Sequence, residues 1–234
     1  MIYFDQLPLS GEILKALSEL KIDYVFQPIF FADGKTVYAR EALMRPHDMS
    51  VTELIDKYEQ MGKLHIIEVA TFFGAAQEYI LRGYTEKVSI NSFPSECFSE
   101  EENMAFDEYF GDYDGRGIIE LLEYPRLSLI KWALKAETLQ KKNLLVSLDD
   151  YGTGINNMNK VDILQPSIVK LDRSLIRDVD KDVYKQANCR EIIDELHSKN
   201  KMVVAEGIET KEEFDFLVSL GADLFQGYYL GRPK

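Results

Sequence analysis

Apolar positions in this chain fall into short β-branched or aromatic runs, separated by longer stretches in which they recur at helical spacing. The runs are Tyr24–Ile29, Val37–Leu43, Val88–Asn91, Ile118–Leu122, Leu144–Asp149, Ile168–Asp172, Val203–Glu206 and Leu224–Tyr228. Between most of them lie the amphipathic stretches Val51–Met61, His65–Arg82, Leu127–Lys141, Lys185–Lys199 and Lys211–Leu220, which predict helices. The first two runs are parted only by Phe30–Thr36, where Asp33-Gly34 signals a turn, so they predict a hairpin. The rest reads as repeated strand–helix units. Eight such strands predict an α/β fold, a TIM-like (β/α)8 barrel with an irregular start. Ahead of the barrel, Ser10 predicts the cap of a short helix with Ile13, Leu14, Leu17 and Leu20 on its apolar side. Residues 1–21 therefore read as an N-terminal helical extension packed on the barrel, and residues 22–234 as the barrel domain.

Composition narrows the class. With 234 residues and 46% hydrophobic positions, the chain can bury a core without disulfide or metal staples. Forty acidic against 27 basic residues give a formal net charge of −13. That field repels polyanions and argues against a DNA or RNA polymer as partner. A small phosphate ligand remains possible if cations are supplied locally. Cys97 and Cys189 lie far apart and read as two reduced thiols. The first residues lack a basic stretch followed by an apolar one, and no apolar run approaches the ~20 residues of a membrane span. The expectation is a soluble cytoplasmic protein with no membrane contact.

The strand ends carry the chemistry, since a barrel of this kind gathers its C-terminal strand ends at one mouth. Strand two ends on Arg40-Glu41-Ala42-Leu43 and strand three on Ile90-Asn91. Strand four holds Glu120, with Glu123 shortly after. Strand five ends on Asp149-Asp150, strand six holds Lys170 and Asp172, strand seven ends on Glu206 before Glu209, and strand eight holds Gln226. One acid at a strand end is ordinarily a helix cap or a solvated loop residue. A carboxylate, amide or lysine at nearly every end is not ordinary. Five carboxylates brought together would repel by about 4 kcal/mol per pair at 4 Å and an effective dielectric near 20. Either some stay protonated or cations neutralise them. Oxygen donors of this kind suit Mg²⁺, Mn²⁺ or Ca²⁺ better than zinc. An aspartate pair such as Asp149-Asp150 can bridge two ions, as in a two-metal phosphodiester hydrolase.

Taken in order, the segments Phe26-Gln27-Pro28-Ile29, Glu41-Ala42-Leu43-Met44-Arg45, Ile90-Asn91-Ser92-Phe93-Pro94, Ile119-Glu120-Leu121-Leu122-Glu123, Asp149-Asp150-Tyr151-Gly152-Thr153-Gly154, Val169-Lys170-Leu171-Asp172-Arg173-Ser174, Val204-Ala205-Glu206-Gly207-Ile208-Glu209-Thr210 and Gln226-Gly227-Tyr228-Tyr229 resemble the EAL domain family of cyclic di-GMP phosphodiesterases. The resemblance runs from about residue 22 to the end. It implies a TIM-like barrel with an antiparallel first strand. It also implies metal-dependent hydrolysis of cyclic di-GMP to linear pGpG, using two Mg²⁺ or Mn²⁺ ions and a bridging water, with Ca²⁺ inhibitory. Glu41, Asn91, Glu120 and Asp149 look like ligands of one ion, and Asp149 and Asp150 like ligands of the other. Lys170 and Glu206 look like the pair that positions and helps deprotonate the water, with Gln226 close by. Gln27, Arg45 and Asp172 resemble substrate contacts. Glu123 and Glu209 look like supporting acids, Glu123 anchoring the loop that contains Gly152 and Gly154. A homodimer formed near that loop is implied as well.

The match is not uniform. Tyr151 stands where the family usually has Phe, Leu122 where it usually has Thr, and Ile155-Asn156-Asn157 where Tyr-Ser-Ser is common. Other readings stay open for single residues. Arg45 could be a surface ion-pair partner, Gly152 and Gly154 plain turn residues, and Asp172 with Arg173 a local pair. Tyr228 and Tyr229 read as strand packing, and Trp132 as core or interface. Two other functions compete with the enzyme: a receptor that holds cyclic di-GMP without cleaving it, and a module that regulates a protein partner. Both predict eroded strand ends, and here the metal and water positions are intact.

Overall fold

The computed structural model describes residues 9–110, 115–123 and 128–234. The chain opens with a helix, α1 (Gly11–Ser18), capped by Ser10, and continues into the antiparallel hairpin β1 (Ile22–Phe31) and β2 (Val37–Pro46). Asp33 builds the turn by accepting the Lys35 and Thr36 N–H groups at 2.9 and 2.8 Å. Two helices follow, α2 (Val51–Gln60) and α3 (Leu64–Leu81), and then β3 (Lys87–Ser92), α4 (Glu100–Phe110), β4 (Gly117–Leu121), α5 (Leu129–Lys141), β5 (Leu145–Tyr151), α6 (Met158–Leu164), β6 (Ile168–Leu171), α7 (Arg173–Ile176), α8 (Val183–Ser198), β7 (Met202–Glu206), α9 (Lys211–Ser219) and β8 (Leu224–Gln226).

The eight strands close in sequence order into a barrel. From β2 to β8 neighbours are parallel, and β1 runs antiparallel to both β2 and β8. Helical crossovers make the parallel pairings possible, and the hairpin makes the exception possible. The C-terminal tail covers part of β1, where Lys234 and Phe26 exchange backbone hydrogen bonds of 2.8 and 3.1 Å.

Side chains alternate across a strand, so residues two apart share a face. One inner layer of the barrel is Ile29, Ala39, Ile118, Ile168, Val204 and Leu224, all buried together. Two residues further toward the mouth on the same six strands stand Gln27, Glu41, Glu120, Lys170, Glu206 and Gln226. The barrel is therefore plugged by apolar residues below and lined by polar ones above. A second, larger apolar cluster fills the space between strands and helices. Helix α3 runs through it with residues buried on all sides, and Leu17 of α1 is fully buried there.

Several boundaries differ from the sequence expectation. The strand predicted to reach Asp172 ends at Leu171, because the Asp172 side chain turns back to cap α7, accepting Ser174 N–H at 2.8 Å. The strand predicted to reach Tyr228 ends at Gln226. Helices α4, α6 and α7 are additional. Their stretches are short or polar, so periodicity is weak, and Asn157 and Asp172 act as caps for α6 and α7. Leu127, taken as the start of the helix over Leu127–Lys141, and residues 1–8 of the N-terminal extension lie outside the described residues. Among the described residues, no helix is long and apolar enough to cross a membrane.

Candidate active site

Lys170 is the centre of the polar layer. It is 1% exposed, and its ammonium lies 2.6 Å from Glu120 Oε1, 3.0 Å from Asp149 Oδ1, 3.2 Å from Glu206 Oε2 and 3.3 Å from Glu41 Oε2. Four acids from β2, β4, β5 and β7 thus converge on one cation from β6. Glu41 also receives Gln226 Nε2 at 2.6 Å and Asn91 Nδ2 at 3.4 Å. Glu120 is fully buried and receives Ser89 Oγ at 2.7 Å. Ser89 escaped the sequence reading, although it sits two residues before Asn91 and therefore on the same face.

One cation cannot serve four acids equally. Burial opposes ionisation of Glu41, but Lys170 and the Gln226 and Asn91 donors overcome it, so its pKa lies below the ordinary glutamate value. Burial and the nearby Glu41 push Glu120 well above that value. Burial, and then Asp149, raise Glu206 to about 8. Burial and Asp149 raise Asp150 to about 6. Burial alone would discharge Lys170, yet the surrounding acids, Asp149 first, hold its pKa well above the ordinary lysine value.

The donor set fits a hard divalent cation. Asp149, Asp150 and Glu206 each offer an oxygen, and these oxygens lie within 4.8 Å of one another. Asp149 Oδ1 and Glu206 Oε2 are buried, and among the described residues they meet the Lys170 ammonium at 3.0 and 3.2 Å without an aligned hydrogen bond. Buried acceptors of this kind are costly unless something completes them, and all-oxygen donors suit Mg²⁺, Mn²⁺ or Ca²⁺. The grouping also separates the predicted residues. Glu206, expected to handle the water, stands with Asp149 and Asp150, whereas Glu41, Asn91 and Glu120 cluster across Lys170.

The loop after β5 is shaped by backbone conformations that favour glycine. Gly152 has φ +100°, and a Cβ there would stand 2.5 Å from Leu175 Cδ1. Gly154 has φ +45°, and its Cβ would meet Glu123 Oε1, the atom that accepts Ile155 N–H at 2.9 Å. A side chain at either position would collide with its neighbour, and Glu123 is hydrogen-bonded to the loop at Ile155. Asp150 itself has φ +50°. Asn156, 3% exposed, donates from Nδ2 to Asp149 O at 2.7 Å, bracing the Asp149–Asp150 turn. Its role was not legible in the sequence, where it showed only as a departure from the usual serine.

Beside the acids lies a cavity of about 320 Å³ lined by Gln27, Asp172, Arg173, Glu206, Gly207, Glu209, Gly227 and Tyr228. Gln27 is paired with Glu41 in the β1–β2 register and donates to Gly231 O at 3.1 Å. Arg173 binds Glu209 at 2.7 Å rather than pairing with Asp172, so Glu209 supports the cavity wall through Arg173. Arg45 is exposed near the end of β2 and donates to Met44 O at 2.8 Å, away from the cavity lining. Tyr228 and Tyr229 are not packed in a strand. Tyr228 is 52% exposed at the cavity, with the Arg232 guanidinium 4.4 Å over its ring, and Tyr229 leans on Phe214. Trp132 is buried in the core.

A sequence model described as EAL domain matches residues 10–233. The chain belongs to the EAL domain family. Among its relatives, this EAL chain is 26% identical over 247 residues to the Escherichia coli protein named probable cyclic di-GMP phosphodiesterase PdeG, covering 99% of this chain and 48% of PdeG. The chain thus spans about half the length of that relative. Its fold is shared with a standalone versatile EAL protein from Vibrio cholerae O395, solved in a c-di-GMP-bound form, at a TM-score of 0.83 and 24% identity over 92% of this chain and 93% of the other. It is shared as well with Klebsiella pneumoniae BlrP1, solved in a manganese and c-di-GMP complex, at a TM-score of 0.78 and 24% identity over 91% of this chain and 56% of the other.

Proposed function

We propose that this EAL chain hydrolyses cyclic di-GMP to linear pGpG in a reaction that requires divalent metal. The observation that carries the reading is the set of mutually close oxygens of Asp149, Asp150 and Glu206 beside Lys170, at the mouth of a barrel plugged below. The names of PdeG and of the complexes of the V. cholerae and K. pneumoniae proteins support the substrate and the metal.

Glu41, Asn91, Glu120, Asp149 and Asp150 would hold two Mg²⁺ or Mn²⁺ ions, which when bound polarise the scissile phosphate and lower the pKa of a water between them. Glu206, at the edge of the acidic group, would accept the attacking water's proton at its carboxylate. The Lys170 ammonium stays charged and stabilises negative charge as it builds on the phosphoryl oxygens. Gln226 holds Glu41 through Nε2, while its buried Oε1, without a partner, is free to accept a hydrogen bond from water. Gln27, Asp172 and Arg45 would bind the dinucleotide, the first two from the cavity wall. Glu123 and Glu209 hold the loop and the wall in place.

In this reading the chain works in the cytoplasm as a homodimer. Leu129, Ile130 and Leu134 on α5, exposed by 61, 78 and 55%, support an apolar contact with a second copy.

The test is incubation of purified protein with cyclic di-GMP and Mg²⁺ or Mn²⁺, with chromatography for pGpG, beside Glu41→Ala and Glu206→Gln. Wild type should form pGpG, and both variants should lose at least about a hundredfold in rate, the scale of a lost general base or metal ligand. Binding without pGpG at any metal concentration would instead identify a receptor. Neither binding nor cleavage would point to the protein-regulating module.

A further inference from the structure

Asn91 is held weakly by its own side chain. Its amide reaches Glu41 Oε1 and Ala42 O at 3.4 Å each, near the outer limit of a hydrogen bond. The backbone just after it is held far more firmly, and from outside the barrel. Glu68 of α3, 1% exposed, accepts Ser92 Oγ at 2.7 Å and the Phe93 N–H at 3.0 Å. Lys135 of α5, 5% exposed, reaches Glu68 Oε1 at 2.6 Å. Its ammonium also donates to Phe93 O at 2.9 Å, to Glu96 O at 2.7 Å and to Ser92 Oγ. Apart from the bond between the two charges, every one of these contacts falls on residues 92–96.

Stability alone does not account for such a pair. Two buried charges are desolvated at a cost their attraction barely offsets, and apolar residues of the same size often serve as well. What apolar residues cannot supply is direction. They would fill the volume without fixing one N–H, two carbonyls and a hydroxyl in place. Successive side chains leave a strand on opposite faces, so Ser92 meets the pair outside the barrel while Asn91 faces the acids inside. Fixing one fixes the other.

We propose that Glu68 and Lys135 are positioning residues that orient Asn91 toward the metal site, acting through the backbone of residues 92–96 and touching neither metal nor substrate. The proposal rests on the phosphodiesterase reading above.

The experiment compares wild type, Lys135→Met and the double variant Glu68→Gln/Lys135→Met, with Asn91→Ala as reference. Mn²⁺ affinity is read from the electron-paramagnetic-resonance signal of free Mn²⁺, and kcat and KM for cyclic di-GMP are measured well below each unfolding midpoint. Lys135→Met leaves Glu68 buried and unpaired, so its unfolding midpoint should fall. The double variant removes both charges and should regain much of that stability. Both should nevertheless bind Mn²⁺ about tenfold more weakly, within the range seen when support behind a metal ligand is lost. Their kcat should drop by a similar factor while KM stays within about twofold, and Asn91→Ala should show the same pattern. If Lys135→Met does not fold, the double variant carries the test. Wild-type Mn²⁺ affinity and kcat in a folded double variant would overturn the proposal. If wild type itself neither binds Mn²⁺ nor forms pGpG, the functional reading fails first. If wild type is active and Asn91→Ala binds Mn²⁺ normally, only the role of Asn91, and with it this proposal, is lost.

Discussion

A Cβ on Gly154 would stand 1.6 Å from Glu123 Oε1. That same oxygen accepts the Ile155 N–H, so the glycine and the acid together set the path of the loop that follows Asp149 and Asp150.

Gly154→Ala should therefore act on the active site without touching it. The new methyl expels the Glu123 carboxylate and leaves Ile155 N–H without its acceptor, and the left-handed φ adds about 1–2 kcal/mol of strain. We expect kcat for cyclic di-GMP to fall at least tenfold and the unfolding midpoint to fall by a few degrees, measured by steady-state kinetics and calorimetry. Activity within twofold of wild type would show that the loop does not depend on this contact.

Lys170→Met removes the one cation among four acids. Deleting one partner of a buried pair costs about 3–5 kcal/mol, and at about 2–4 °C per kcal/mol for a chain of this size the metal-free variant should melt roughly 6–20 °C below wild type. Saturating Mn²⁺ should recover part of the loss, since a ligand at a hundred times its Kd adds about 2.7 kcal/mol. Thermal scans with and without Mn²⁺ check this. An unchanged melting point in the metal-free variant would contradict the central role given to Lys170.

His65 offers a pH dependence away from the acids at the mouth. It sits 2.8 Å from Glu102 Oε1 and 3.6 Å from Glu96 Oε2, and these carboxylates, Glu102 first, raise its pKa to about 9. Lys131 also approaches Glu96, at 3.5 Å. The folded value is above the ordinary 6.5, so folding favours the charged ring. The resulting stability is complete below pH 6.5 and is lost as the pH rises through 9. In urea titrations the wild-type midpoint should fall across that window more than that of His65→Gln. A gap between the two that does not change with pH would sink the idea.

Calcium should separate binding from turnover. Ca²⁺ accepts looser geometry at about 2.3–2.6 Å, whereas Mg²⁺ demands near-octahedral contacts at about 2.0–2.1 Å. The oxygen donors should accept either ion, but only the tighter geometry should align the water. Calorimetry should detect cyclic di-GMP binding in Ca²⁺ with little pGpG formed. Equal rates in Ca²⁺ and Mg²⁺ would count against this assignment.

Much of the site was readable before folding. The order of polar strand ends follows from period-two alternation: Ile118 and Glu120, Ile168 and Lys170, Val204 and Glu206 each share a face because they stand two apart. Ser89 could have been found by the same rule, counting back from Asn91. Glu68 left a fainter trace, as one of two glutamates in the largely apolar stretch Leu64–Leu81, and Lys135 a fainter one still, as one of three lysines in Leu129–Lys141. Nothing in either stretch shows that the two charges meet, because they are 67 residues apart.

The sequence by itself determined the alternation of strands and helices, the hairpin at Asp33-Gly34 and the residues facing the barrel interior. Those properties depend on near neighbours along the chain. Closure of the barrel decided the rest. It put Lys170 within 3.3 Å of acids from four other strands and pushed Glu206 up to about 8. It also turned Arg173 toward Glu209 and set Gly154 against Glu123. These are contacts and fields between groups far apart in the chain, and their strengths depend on distance and burial, which a linear sequence does not carry.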